Sequence, residues 1–156
     1  MVPVKFNPKD QKQTFDFFLG IYREFGWDER FIYGMDNIAE TFGGKGEIFL
    51  TAKEKEKVVG CVGLKELKPK TALMKRFYLA QNYRGSGLAK KMFDKVVKFA
   101  KKNGYGEIVL DTYLTNYRAQ RFYEKNGFSV FSLDPMEKWP ESQHPEIFLF
   151  YKLTLV

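Results

Sequence analysis

Between Thr71 and Thr112 the chain runs from a β-prone stretch, Thr71 to Leu79, through the turn Arg84-Gly85-Ser86-Gly87 into a long amphipathic segment, then into a second apolar run, Ile108 to Thr112. That order restricts the fold sharply. Strand, helix and strand in this sequence close as a crossover unit, so the two strands are predicted to be parallel neighbours with the helix packed across them. The helix is expected over about Gly87 to Lys102 and stops at Asn103-Gly104. Leu88, Met92, Val96 and Phe99 make its apolar stripe, and Lys91, Lys95, Lys98 and Lys102 its wet side.

The flanking segments complete a mixed sheet. Val2 to Asn7 reads as a short first strand, with helix-start signals at Pro8, Lys9 and Asp10. Phe15, Phe18, Ile21 and Phe25 recur at helical spacing, and a second helical stretch is predicted from about Asp28 to Phe42, ended by Gly43-Gly44. Glu47 to Lys53 and Val58 to Leu64 then alternate as an antiparallel hairpin around a tight charged turn. Beyond the crossover come a helix from Asn116 to Asn126, strands at Phe128 to Leu133 and Ile147 to Leu155, and a loop over Asp134 to Pro145. The expected architecture is α/β, or α+β: a mixed, mostly antiparallel central sheet of about six to seven strands flanked by about four helices. No linker or repeat divides residues 1–156, which are read as a single domain.

Composition narrows the function classes. With 44% apolar and 17% aromatic residues the chain can bury a real core. No apolar run approaches the roughly 18 residues of a membrane span, and the first residues lack a basic-then-apolar signal pattern. The lone cysteine, Cys61, cannot form an internal disulfide, which fits a reducing, cytoplasmic setting. A net charge of +7 favours an anionic partner, either a nucleotide-bearing cofactor or a nucleic acid. No helix-turn-helix, zinc or RNA-binding signature accompanies that charge, so neither a nucleic acid nor a metal is expected.

The glycine turn is the sharpest chemical signal. A turn that opens straight into a helix leaves backbone N–H groups free at the positive end of the helix dipole, which suits an anion. Gly85 and Gly87 permit positive φ and remove side chains that would hold a diphosphate off the backbone. The spacing is neither that of a Walker loop nor that of a dinucleotide fingerprint, because Lys90 stands where the latter needs its third glycine.

Met74-Lys75-Arg76-Phe77-Tyr78-Leu79 followed by Asn82-Tyr83-Arg84-Gly85-Ser86-Gly87-Leu88-Ala89 resembles the cofactor-binding motif of the GNAT superfamily of N-acetyltransferases. Leu110-Asp111-Thr112, Asn116, Ala119 and Phe122-Tyr123-Glu124-Lys125-Asn126-Gly127-Phe128 resemble the family's next strand and helix at the expected distance. The resemblance implies splayed central parallel strands, acetyl-CoA as acetyl donor, and an amine on a small molecule or peptide as acceptor, with a homodimer as an allowed assembly. It implies that Phe77 and Leu79 pair with the pantetheine arm through their backbones, that the Leu79 N–H polarises the thioester carbonyl, and that Tyr83 to Leu88 hold the diphosphate. Asn116 would hydrogen-bond the pantetheine and Tyr123 would protonate the departing thiolate. Helical spacing puts Asn116, Ala119 and Tyr123 on one side. Among side chains, Arg84 is the leading candidate for the phosphates, ahead of Lys90 and Lys91.

The resemblance leaves the base unnamed. Relatives often carry a Glu near the start of the strand that ends at Leu79, where this chain reads Ala72-Leu73-Met74, so Glu66 and Asp111 are the nearest substitutes. That gap keeps a catalytically silent acyl-CoA-binding module as the alternative. The aromatic segment with Phe17, Phe18, Tyr22, Trp27, Phe31 and Tyr33 occupies the region where the family forms its acceptor pocket, and Trp139 is expected to cover that site from a mobile loop. A Cys61–His144 nucleophile pair is not expected, since Cys61 sits inside a strand and His144 in a distant loop.

Overall fold

The computed structural model describes all 156 residues. One seven-stranded sheet runs through it in the order β1-β2-β3-β4-β5-β7-β6. The strands are β1 (Val4–Lys5), β2 (Ile48–Glu54), β3 (Lys57–Lys68), β4 (Thr71–Leu79), β5 (Glu107–Tyr113), β6 (Ser129–Val130) and β7 (Phe148–Thr154). The helices are α1 (Gln11–Phe25), α2 (Ile38–Thr41), α3 (Leu88–Lys102) and α4 (Tyr117–Lys125). Every neighbouring pair is antiparallel except β4 with β5, the crossover pair. No helix is long and apolar enough to cross a membrane.

Helices cover both faces, as an α/β sheet buried on two sides requires. On one face α3 sets Leu88, Met92, Val96 and Ala100 against Leu50, Val62, Leu64 and Leu110, and Tyr123 of α4 joins the same core. On the other, Phe18 and Tyr22 of α1 pack with Met35, Ile38, Phe42 and Phe49, while Trp139 and Phe31 close over Leu73, Val109 and Phe148. The lysine row of α3 is exposed.

Two expectations need correction. Residues 28–42 form no continuous helix: 3-10 turns at Glu29–Phe31 and Met35–Asn37 lead into the single turn of α2. Asp28 and Asn37 bend their side chains back to the N–H groups of Arg30 and Glu40, and Gly34 turns left-handed at φ 75°, so local bonds and a glycine interrupt the helical ladder. The strand expected at Phe128 to Leu133 shrinks to β6, with one further bond from the Phe131 N–H to the Phe150 carbonyl.

The sheet tolerates close approach where it lacks a side chain. A Cβ on Gly63 of β3 would lie 2.3 Å from the ring of Phe42, which is itself buried. Gly63→Ala is expected to destabilise the protein by about 1–3 kcal/mol through overpacking, read as a lower urea midpoint at unchanged slope.

Candidate functional site

The site begins where β4 and β5 part. Only Thr71–Leu73 pair with Glu107–Val109; beyond them β5 holds to β7 and β4 to β3. A bulge drives the divergence. Cys61 pairs with Tyr78 and Gly63 with Lys75, so Arg76 and Phe77 both stand opposite Val62, and Arg76 takes φ 59°. The Ala80 N–H donates to the Val59 carbonyl on β3 (2.8 Å), so strand alternation turns the N–H and carbonyl of Leu79 the other way, into the gap.

The glycine turn lies at the mouth of that gap. The N–H groups of Gly85, Gly87, Ala89 and Lys90 find no acceptor in the protein. Gly85 (φ 78°) and Gly87 (φ 90°) are both left-handed, and a Cβ on either would project into open space. A diphosphate fits this row of donors, since the backbone supplies hydrogen bonds without side chains in the way. The Arg84 side chain does not face that row. Its Nη1 and Nη2 grip Glu24 of α1 (2.6 and 2.8 Å), its Nε donates to the Leu79 carbonyl (3.1 Å), and its own N–H bonds Gln81. Lys90 pairs with Asp94 on the helix surface.

From the turn a groove of about 690 Å³ runs along the open side of β4. Phe77, Leu79, Arg84, Gly85, Asn116, Ala119 and Tyr123 line it, so the residues expected from two separate segments meet on one surface. Asn116 caps α4 by accepting from the Ala119 N–H (3.3 Å). Tyr83, Ser86 and Leu88 stand apart from the groove lining: the Tyr83 hydroxyl bonds Glu54, Ser86 bonds back to Tyr83, and the Leu88 side chain is core.

Behind the groove lies a chamber of about 50 Å³ that shares Trp27, Phe77, Tyr78, Asn116, Ala119 and Tyr123 with it. Its inner wall is charged. Lys75 donates to both oxygens of Glu141 (3.1 Å each), and both side chains are almost wholly buried. Tyr33 joins them, accepting from Lys75 and donating to Glu141. Arg76 donates to the Phe31 and Tyr33 carbonyls (3.0 and 2.9 Å) with its guanidinium over the Phe18 and Tyr33 rings. Asp111 faces the same chamber and accepts from Trp139 Nε1 (2.7 Å).

These surroundings separate the two carboxylates. Burial, reinforced by the charge of Glu141, raises Asp111 to about 6 against the pull of Lys75 and the Trp139 N–H. Burial also pushes Glu141 upward, but Lys75, Tyr33 and Arg76 outweigh it and hold that carboxyl below its ordinary value. Burial and then the charge of Asp111 keep the Tyr123 phenol protonated well above its usual range. The Cys61 thiol, buried and donating to the Arg76 carbonyl, is raised to about 12, and His144 pairs with Glu146 elsewhere, so no thiolate nucleophile exists here.

Of the carboxylates suggested by sequence, Asp111 reaches the chamber; Glu66 is exposed on β3 beside Glu47. In the sequence Glu141 and Lys75 carry no assigned role, and Tyr33 only a place in the aromatic acceptor segment. Trp139 is the clearest correction: its indole is fully buried, edge-on to Phe150 and bonded to Asp111, so it is core and lines neither cavity. Trp27, stacked between Phe25 (4.6 Å) and Tyr113 (4.3 Å), is one of four aromatic residues, with Phe77, Tyr78 and Tyr123, that line both cavities.

The sequence profile of the Acetyltransferase (GNAT) family matches residues 13–128. Human N-acetyltransferase 8B is 39% identical over 88 residues, a match that takes in 53% of this chain and 39% of that protein. The chain thus spans about two fifths of that curated relative's length. Among solved structures, a GNAT-family acetyltransferase from Staphylococcus aureus Mu50 superposes with a TM-score of 0.84 over 99% of this chain and 98% of its own, at 26% identity. An acetyltransferase from Salmonella typhimurium, solved with acetyl-CoA, shares the fold at a TM-score of 0.77 and 17% identity over 99% of this chain and 94% of its own.

Because Trp139 fills the core and bonds Asp111, Trp139→Ala is expected to cost about 3–5 kcal/mol of stability in urea unfolding. Trp139→Phe, which keeps an aromatic ring in the core but removes the N–H, should move the Asp111 carboxyl further upward, detectable by carbon-13 NMR titration.

Proposed function

This chain belongs to the acetyltransferase (GNAT) family, and we propose that it carries the acetyl group of acetyl-CoA directly to a primary amine of a small molecule or peptide within one ternary complex. The reading takes residues 1–156 as one domain, which the single sheet supports. It places the protein in the cytoplasm, where a buried free thiol such as Cys61 stays reduced. One observation carries the proposal: an unpaired strand end and a turn of free N–H groups lie along a groove that shares a wall with a carboxylate-bearing chamber.

Each part has a chemical task. The N–H groups of Gly85, Gly87, Ala89 and Lys90 hold the diphosphate, supported by the positive end of α3. Phe77 and Leu79 lay the pantetheine arm along β4 as an added strand, with Asn116 and Ala119 opposite. Acetyl-CoA supplies an activated acyl group to this site. The Leu79 N–H polarises its carbonyl; a preorganised donor of this kind is worth about 3–4 kcal/mol in a dry site. Asp111 takes a proton from the incoming ammonium, and the Tyr123 hydroxyl gives one to the departing sulfur. The missing strand Glu favoured a silent binding module; Asp111, lining the chamber, supplies a carboxylate in its stead and argues against that alternative.

A thiol-release screen across diverse amines tests the reading, and no turnover with any amine would sink it. With a responding amine, Tyr123→Phe is expected to lower kcat about 10²- to 10⁴-fold. Asp111 acts when ionised, so the parent rate should climb as pH rises through about 6, and Asp111→Asn should lose that limb. Stability should respond in the opposite sense. The folded pKa of Asp111 is raised, so the group stabilises the fold while protonated and that contribution is lost as pH rises through about 6. Asp111→Asn should therefore be more stable than the parent at pH 8 in thermal unfolding, even while slow.

A further inference from the structure

Arg84 sits where a cationic side chain for the donor's phosphates is easiest to imagine, yet none of its hydrogen bonds points to such a role. Its fork is closed on Glu24 with two bonds, 2.6 and 2.8 Å, the bidentate geometry that holds a guanidinium most firmly. Its Nε meets the Leu79 carbonyl at 3.1 Å, and the Phe25 ring lies 5.0 Å beneath the guanidinium. The side chain is largely shielded, and its main-chain N–H is spent on Gln81.

The consequence falls on Leu79. After the bulge at Arg76, β4 has β3 on one side and nothing on the other, so no neighbouring strand fixes the outward-facing peptide groups at its end. Arg84 takes the place of the missing strand there. Glu24 in turn anchors Arg84 to α1, the helix that leads through Gly26 into Trp27.

We propose that Arg84 is a positioning residue: clamped by Glu24, it fixes the Leu79 carbonyl at the open end of β4 and so orients the adjacent Leu79 N–H toward the reacting carbonyl, leaving the phosphates to the backbone of the glycine turn. This rests on the acetyl-transfer reading above. It also ties the donor groove to the α1 end that walls the acceptor chamber, since Phe25 and Arg84 line the groove together and Trp27 lines both cavities.

The test compares the parent with Arg84→Met, Arg84→Lys and Glu24→Ala. Removing a charge-assisted phosphate contact would weaken CoA binding more than about tenfold. Positioning predicts instead that CoA binds Arg84→Met within about threefold of the parent by calorimetry. The carbonyl band of bound [1-¹³C]acetyl-CoA, read by difference infrared, should shift back toward its position in water. Hydrogen exchange of the Ala80 amide, which donates to the Val59 carbonyl in the free protein, should quicken, and kcat should fall about tenfold or more at an almost unchanged donor KM. Arg84→Lys keeps the charge but not the fork and should resemble Arg84→Met; Glu24→Ala, on the helix surface, should move all readouts the same way by less and carries the test if the Arg84 variants fail to fold.

A donor affinity more than about tenfold weaker with an unmoved carbonyl band would make Arg84 a phosphate ligand and overturn the proposal. A parent protein that binds CoA while the variants leave band, exchange and kcat unchanged would overturn it as well. A parent that binds no CoA would sink acetyl transfer itself, and this role with it.

Discussion

The bulge at Arg76 is the constraint from which the rest of the site follows. A parallel pair started at Thr71 and Glu107 would ordinarily continue to the strand ends, because every further residue adds ladder bonds. Here the extra residue in β4 turns the strand away after Leu73, at the cost of a left-handed arginine, a strain of about 1–3 kcal/mol. The Arg76 side chain offsets it, bonded to the Phe31 and Tyr33 carbonyls and packed against Phe18. The gap that opens holds the groove and the chamber, and the unpaired backbone at Leu79 is its direct product. The same guanidinium fastens residues 31–33 to β4, so the feature that opens the sheet also anchors the segment that carries Tyr33 to Lys75 and Glu141.

Charge in that space is balanced by partition. Lys75 and Arg76 bring two positive charges into a buried region, and Glu141 and Asp111 bring two negative ones. A buried charge without a partner is costly, so pairing decides which carboxylate is ionised most readily. Glu141 has Lys75 on both oxygens and the Tyr33 hydroxyl besides, and it titrates low. Asp111 is desolvated by burial and repelled by Glu141, with one indole N–H in partial compensation, and it titrates high. Neighbouring carboxylates pushed apart in this way are the pattern expected where one structural anion and one exchangeable proton site are needed together.

What could be read from the sequence was what local chemistry decides. Thr71–Leu79 is a strand with those bounds, α3 starts within one residue of Gly87, and helical spacing puts Ala119 and Tyr123 on one surface, which Asn116 joins from the N-cap of α4. Tertiary contacts decided the rest. Residues 28–42 take their path from Gln11, whose side chain bonds the Met35 carbonyl and the Ile38 N–H. Trp139 and Glu141 lie in a segment without periodicity, and only the folded chain brings them to Asp111 and Lys75. A hint did exist in β4, where Lys75-Arg76 interrupts a buried run: alternation would send the two adjacent charges to opposite faces, whereas the bulge brings both to Tyr33. The ion pair of Arg84 with Glu24 could not be read from the sequence, because the two lie 60 residues apart.

The proton balance of the proposed reaction explains why a middling carboxylate suits the chamber. An ammonium acceptor gives up two protons on becoming an amide; one goes to sulfur through Tyr123, and the other must leave the protein. A base with a normal Asp pKa would take that proton rarely at neutral pH, and one raised far above 7 would keep it and block the next turnover. At about 6, Asp111 accepts and releases with comparable ease. The chamber's 50 Å³ gives room for a few water-sized occupants at about 10–15 Å³ each, enough for a short relay between the amine and Asp111. Trp139, by bonding Asp111 from the core side, keeps the carboxyl from rising further, so a residue remote from both substrates helps set the pH at which the site can work.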